Sequence, residues 1–258
     1  MPFELNRNAQ FHIITSAGIL TGTFADSAGV TAAMLANCIP GITDFGYDHE
    51  LGVERKGEGQ FGVNKPIDLT DSYKGIKGTF TAEGSEGEKA VLAALAGVAR
   101  SSFVNAVYNK MRKAYLVANI TDDDGSPLNA HFCDTVKIEM ASKAIGGDQA
   151  HKYPFQGIWG QDFPGHKLRY FVMNGNATPV TALTFPTGET PVAWLDENKA
   201  SRYALLVLRF AGATSTDKRL LYATAAAAGY YSETSTAVTL ATGDGLAATD
   251  KALVVYPV

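Results

Sequence analysis

Phe45, Tyr47, His49, Leu51 and Val53 alternate with Gly46, Asp48, Glu50, Gly52 and Glu54. A period of two sends successive side chains to opposite faces of an extended chain, whereas a helix needs a period near 3.6. The stretch is therefore predicted to be a β-strand with one dry and one acidic face. The pattern returns in Ile76, Gly78, Phe80 and Ala82 against Lys77, Thr79, Thr81 and Glu83, and again in Val136, Ile138 and Met140 against Lys137 and Glu139. Antiparallel strands with one solvated side use such a pattern, so the fold is expected to be mainly β.

One helix stands out. Ser85 and Glu88 have the S-x-x-E spacing of a capping box, which predicts a helix start, and Val91, Leu92, Leu95 and Val98 follow as one apolar stripe. Residues 103–113 fit a helix or a strand equally. A hairpin is expected between residues 114–120 and 129–142 across the turn Asp122-Asp123-Asp124-Gly125-Ser126-Pro127, with a loop at 142–152 and strands at 153–159 and 167–173. Asn174-Gly175-Asn176-Ala177-Thr178-Pro179 has linker composition, which divides the chain into a domain at 1–175, expected to stand alone, and a second at 176–258. Short strands at 181–185, 203–210, 219–224, 237–241 and 252–256 predict a small antiparallel sandwich for the second.

Composition excludes several classes. Hydrophobic residues make up 46% and charged residues 19% of the 258, so the chain can bury a core. A net charge of −4 lacks the basic excess that gripping a phosphate backbone requires, although a surface that lets DNA pass is not excluded. No apolar run reaches the ~20 residues that span a bilayer, so no membrane insertion is expected. The opening residues lack the order of a signal peptide, so the chain is expected to stay in the cytoplasm where it is made. Cys38 and Cys133 are far apart, without metal-ligand spacing, and are expected to be free thiols.

Motifs of chemistry are weak. Gly57-Glu58-Gly59-Gln60-Phe61-Gly62 matches G-x-G-x-x-G, but Val63-Asn64-Lys65-Pro66 follows where a phosphate site needs a helix, so a hairpin tip is expected. The three aspartates 122–124 lack the ligand order of a calcium loop, and His12, His49, His131, His151 and His166 are scattered. Tyr153, Phe155 and Trp159 are predicted as core residues along one strand. The sequence thus offers no catalytic residue, no cofactor site and no metal site, and the chain is expected not to be an enzyme.

Three short segments carry a likeness to a known family: Ile42-Thr43-Asp44-Phe45-Gly46-Tyr47 entering a long hairpin, residues 77–95 as strand plus helix, and Tyr153-Pro154-Phe155-Gln156-Gly157. Over residues 1–173 the chain resembles the major tail tube proteins of bacteriophages. The resemblance implies a β-sandwich or barrel with one flanking helix that forms rings of itself, usually hexamers, stacked into the tube through which DNA is ejected. It implies a virion location, host cytoplasm during assembly, and tape measure, tail terminator or baseplate proteins as further partners. It also implies that the hairpin at residues 48–66 reaches a neighbouring ring, which makes Asp48, Glu50, Glu54, Gly57, Gly59, Gly62 and Pro66 candidates for that contact. Asp48, Glu50, Glu54, Glu83 and Glu139 are candidates for a lumen whose negative charge repels phosphates, and an ordinary solvated face fits them as well. Gly229-Tyr230-Tyr231, Val238-Thr239-Leu240 and Leu253-Val254-Val255-Tyr256 give the second segment a resemblance to Ig-like sandwiches of phage virions. A capsid decoration protein, another virion surface protein or a carbohydrate-binding module are the alternatives.

Overall fold

A computed structural model of the chain describes residues 8–56, 68–98, 112–139, 150–196, 198–212 and 217–258. The protein is mainly β, as the alternation predicts. The first part runs β1 (Asn8–Ile14), α1 (Ser27–Asn37), β2 (Ile42–Lys56), β3 (Asp68–Ala82), α2 (Gly84–Ala96), β4 (Arg112–Thr121), β5 (Pro127–Ile138), β6 (His151–Gly157) and β7 (Trp159–Asp162). The second part runs β8 (Leu168–Asn174), β9 (Ala182–Thr184), β10 (Trp194–Leu195), β11 (Ser201–Arg202), β12 (Leu206–Phe210), β13 (Asp217–Tyr222), β14 (Tyr230–Glu233), β15 (Ala237–Leu240) and β16 (Lys251–Pro257).

The first sheet is antiparallel in the order β1-β4-β5-β6-β3-β2, with β7 on a further stretch of β5. It curls until its ends approach. Phe11 on β1 and Phe45 on β2 stand at opposite ends of that order, yet their ring centroids are 5.3 Å apart. Bulges help this closure, because an extra residue bends a strand and increases its twist. They interrupt the β2–β3 register at Glu50/Leu51 and the β4–β5 register at Ala114/Leu116. Phe11, Phe80, Phe155, Ile76, Leu116 and Ile138 fill the interior.

Helix α2 covers this core with Ala90, Val91, Ala94 and Leu95. Two details differ from the expected helix. Its N-cap is Glu83, with no side-chain cap, and Ser85 lies inside the first turn. The start is set by the end of β3, where the Glu83 amide donates to the Gly41 carbonyl at 2.7 Å. At the other end Gly97 adopts φ 71 and closes the helix before Val98, which is 41% exposed. Helix α1 was not anticipated. Asp26 caps it by accepting from the Gly29 amide at 2.7 Å, and Val30, Ala33 and Met34 form its buried face.

The remaining strands form two further layers. β8, β16, β12 and β13 are joined by antiparallel pairing, and β14, β15 and β9 follow on the same path. The pair β13–β14 is parallel over Leu221↔Tyr230 and Tyr222↔Tyr231, where an all-antiparallel sandwich was expected. Loop 223–229 supplies the return, bringing the chain back alongside β13 in the same direction.

Strand β16 is central to both cores. Leu253 and Val255 pack with Tyr115, Val117 and Phe132 of the first sheet, whereas Ala252, Val254 and Tyr256 pack with Leu183, Val238 and Leu240 of the outer layer. The order of layers is thus first sheet, then β8-β16-β12, then β14-β15-β9.

This arrangement moves the expected boundary at 175/176. β8 precedes that boundary in sequence, but it pairs with β16 along its whole length, from Leu168↔Pro257 to Asn174↔Lys251. Residues 174–179 are therefore a loop leaving the middle layer. Buried polar contacts tie the layers as well. The Asn119 amide donates to the Leu168 carbonyl and its oxygen accepts from the Leu168 amide, both at 2.8 Å, and Arg219 pairs with the buried Asp134. Tyr153 and Phe155 are core residues as expected, while Trp159 stands beyond the bend at Ile158, on β7, against Phe132 and Trp194.

Candidate functional site

Residues directly opposite each other in an antiparallel ladder share a face. Asp48 faces Lys77, Lys77 faces Gln156, and Gln156 faces Lys137, so one row of polar side chains crosses β2, β3, β6 and β5. The neighbouring row holds Gly46, Thr79 and Pro154, small or short side chains that leave a depression. The result is an open groove of about 820 Å³ whose lining includes four carboxylates, Asp44, Asp48, Glu50 and Glu139, and one ammonium, Lys77. Lys77 Nζ lies 2.9 Å from Glu50 Oε1 with both side chains substantially exposed, so the pair tunes local charge more than it stabilises the fold.

Three of the five lumen candidates, Asp48, Glu50 and Glu139, meet in this groove. Glu83 does not line it, and stands instead beyond the end of β3 at the N-cap position of α2. Glu54 lies on β2 opposite Thr70, and its side chain is outside the described residues. Gly57, Gly59, Gly62 and Pro66 also lie outside the described residues.

The other face of β2 holds the apolar half of the alternation. Phe45 and Phe155 stack at 6.0 Å, and Tyr47 donates to Asp162, which also lies 2.7 Å from His131 Nδ1. These contacts clamp β2 over β5 and β7. Farther along, β2 and β3 outrun the sheet: their pairing continues to Lys56↔Asp68, whereas β6 accompanies β3 only over Ile76–Ala82. Gly75, at φ 123, marks the departure, and a Cβ there would collide with the Gly157 carbonyl. Among the described residues this extension has two strands, and Leu51 at its base is 67% exposed. A lone two-stranded ribbon is at best marginally stable in water, so it is suited to finding a partner.

Groups capable of chemistry are arranged for structure. Burial and the nearby Asp162 and Asp134 carboxylates push the Cys133 thiol far up, so it is a poor nucleophile. His131 has the Asp partner of a general base, but its other ring nitrogen faces the Asn129 amide at 3.5 Å, where a nucleophile would have to stand. Asp122 is occupied by its own turn, accepting from the Asp124 and Ser126 amides. No group of three or more His, Cys, Asp or Glu among the described residues could hold a metal. No described helix is long and apolar enough to cross a membrane. Comparison with protein-family models and with curated proteins returned no match.

Proposed function

We propose that this protein is a structural subunit of a bacteriophage tail tube. On this reading it forms rings of itself, hexameric by the family resemblance, that stack into the conduit for DNA ejection and meet tape measure and terminator or baseplate proteins at the ends. It belongs to the virion, assembles in the host cytoplasm and catalyses nothing.

The observation that carries the reading is the union, on the same two strands, of an open carboxylate-lined groove and a ribbon that outruns its sheet. A ring built from such subunits can turn the groove inward, where phosphates are repelled and DNA slides. The ribbon then offers unpaired edges to the next ring, which removes an aggregation hazard by using it. A capsid decoration protein would have no need of a ribbon projecting along a stacking axis.

Electron microscopy of the concentrated protein tests this. Hollow tubes or stacked rings of uniform bore are expected. Deletion of residues 51–73, closing β2 on β3 at the edge of the sheet, is expected to leave a folded subunit that forms no tubes. Tubes of normal length from that variant, or wild-type protein that binds capsids and never forms rings, would overturn the proposal.

A further inference from the structure

A second concavity lies away from the groove, where β7, the β10–β11 hairpin and β13–β14 meet. It measures about 570 Å³, within the range of small-molecule sites, and is walled by Trp159, Trp194, Tyr222, Tyr230 and Tyr231. The rings are fixed in place. Trp159 and Trp194 have centroids 6.2 Å apart, and the Arg202 guanidinium sits 3.7 Å from the Tyr222 ring centroid and 6.0 Å from that of Trp194. Arg202 is itself immobilised, donating to Glu233 at 2.7 Å and to Asp196 at 3.3 Å, with a further bond to the Tyr231 hydroxyl. Such a stack is costly to assemble merely as surface, since Ile158, Leu221 and Tyr230 at its rim remain 62%, 52% and 42% exposed.

Polar groups at the cleft are of two kinds. Arg219 is paired with Asp134, and Arg202 with Asp196 and Glu233, so two cations face three carboxylates and an anionic ligand gains nothing. By contrast, the Asn198 side-chain amide and the Tyr222 and Tyr230 hydroxyls make no hydrogen bond to a described residue. Flat aromatic faces together with uncharged donors and acceptors suit a ligand with apolar C–H faces and a rim of hydroxyls. A pyranose ring is that ligand.

We propose that this cleft binds a neutral saccharide, stacked on the exposed Tyr230 ring and hydrogen-bonded by Asn198 and the free phenols. All its walls belong to one chain, so the proposal does not depend on ring assembly and stands or falls separately from the tube.

The chain's two tryptophans, Trp159 and Trp194, both line the cleft, so intrinsic tryptophan emission of the full-length protein reports on this site and on the core directly behind it. Titration with maltohexaose, chitohexaose and xylohexaose, alongside a glycan array, is expected to give at least one saturable emission change. Tyr230→Ala is expected to weaken that binding about tenfold, the loss of one stacking partner, with the far-UV circular dichroism unchanged. Asn198→Ala, at an exposed position, provides a second variant should Tyr230→Ala fail to fold, and is expected to weaken the same titration. Absence of any emission change at millimolar saccharide together with an empty array would overturn the proposal. So would saccharide binding that neither variant weakens, or an emission change produced by a proline-rich peptide and by no saccharide.

Discussion

Strands β2, of 15 residues, and β16, of seven, solve opposite problems with extended chain. β2 alternates where it lies on the sheet: Phe45 and Tyr47 turn to a core while Asp48 and Glu50 turn to an open groove, and beyond the bulge at Glu50/Leu51 the expected dry face is lost, with Leu51 exposed. β16 does not alternate, and every residue from Ala252 to Pro257 is buried. The difference lies in what covers each face. A strand with one wet face must alternate, whereas a strand inside a stack of layers is dry on both faces and reads as a continuous apolar run. The run Ala252-Leu253-Val254-Val255-Tyr256 therefore places β16 in a middle layer, and with it makes the C-terminal part of the chain integral to the core on the outer side of the first sheet.

The most severe way to break this comparison is truncation. A fragment of residues 1–175 keeps β8 but removes β16 and β12, its support, and uncovers Val117, Phe132 and Tyr170. We expect insoluble or molten protein in place of the autonomous domain suggested by the linker-like composition at 174–179. A cooperative thermal transition from that fragment would show that the first sheet is stable without β16 and β12 on its outer face, and that the shared core is dispensable.

Single substitutions grade the two faces of β16. Leu253 and Val254 are both fully buried, the first against the β4–β5 layer and the second against the outer layer. Leu253→Ala should lower unfolding free energy by about 2–5 kcal/mol, the usual range for removing a buried leucine. Val254→Ala should cost less, since fewer atoms are lost. Urea titrations of the two variants that gave a negligible loss for Leu253→Ala would place β16 at a surface.

Histidine 12 sharpens the same contrast through pH. It lies on β1, entirely buried, with Nδ1 3.1 Å from the Tyr170 hydroxyl of β8, and burial lowers its pKa to about 3. The unfolded chain, with an ordinary histidine pKa near 6.5, then binds more protons than the folded one below that value. Stability from the neutral ring is complete above pH 6.5 and declines as pH falls from there towards 3. Between pH 7 and pH 5 the loss should be roughly 2 kcal/mol from this residue. Comparing urea midpoints at the two pH values for wild type and His12→Gln checks it, because the variant should lack this part of the slope.

Much of the first sheet was legible because β2 and β3 have one wet face. The alternation at 45–54 and 76–83, and the hairpin turn at 122–127, correspond to β2, β3 and the β4–β5 connection. Helix α1 was hidden because its dry face is only Val30, Ala33 and Met34 in an alanine-rich segment, although Asp26 before that face is an N-cap signal. Ser85–Glu88 misled because a capping box is a local pattern, and here the end of β3 and the Gly41 carbonyl fix the helix start. The acidic members of the groove were visible as single residues, but Glu139, just past β5, joins Asp44, Asp48 and Glu50 of β2 only through the order of strands in the sheet. The aromatic cleft was out of reach, since Trp159, Trp194, Tyr222 and Tyr230 come from four separate strands with no shared spacing.

The smallest expected effect concerns the wet face itself. Lys77 and Glu50 form the one ion pair described within the groove, with side chains 58% and 40% exposed. Water screens such a pair, so Lys77→Ala should change stability by no more than about 0.5 kcal/mol. Its consequence should instead be electrostatic. With Lys77 removed, the four groove carboxylates lose their internal counter-charge, and any association that brings grooves of several subunits together should become more sensitive to ionic strength. Light scattering of Lys77→Ala across a salt series should therefore show assembly shifted to higher salt while the urea midpoint stays put. A shifted urea midpoint with unchanged salt dependence would mean that Lys77 supports the sheet, and that the groove faces solvent in the assembled state.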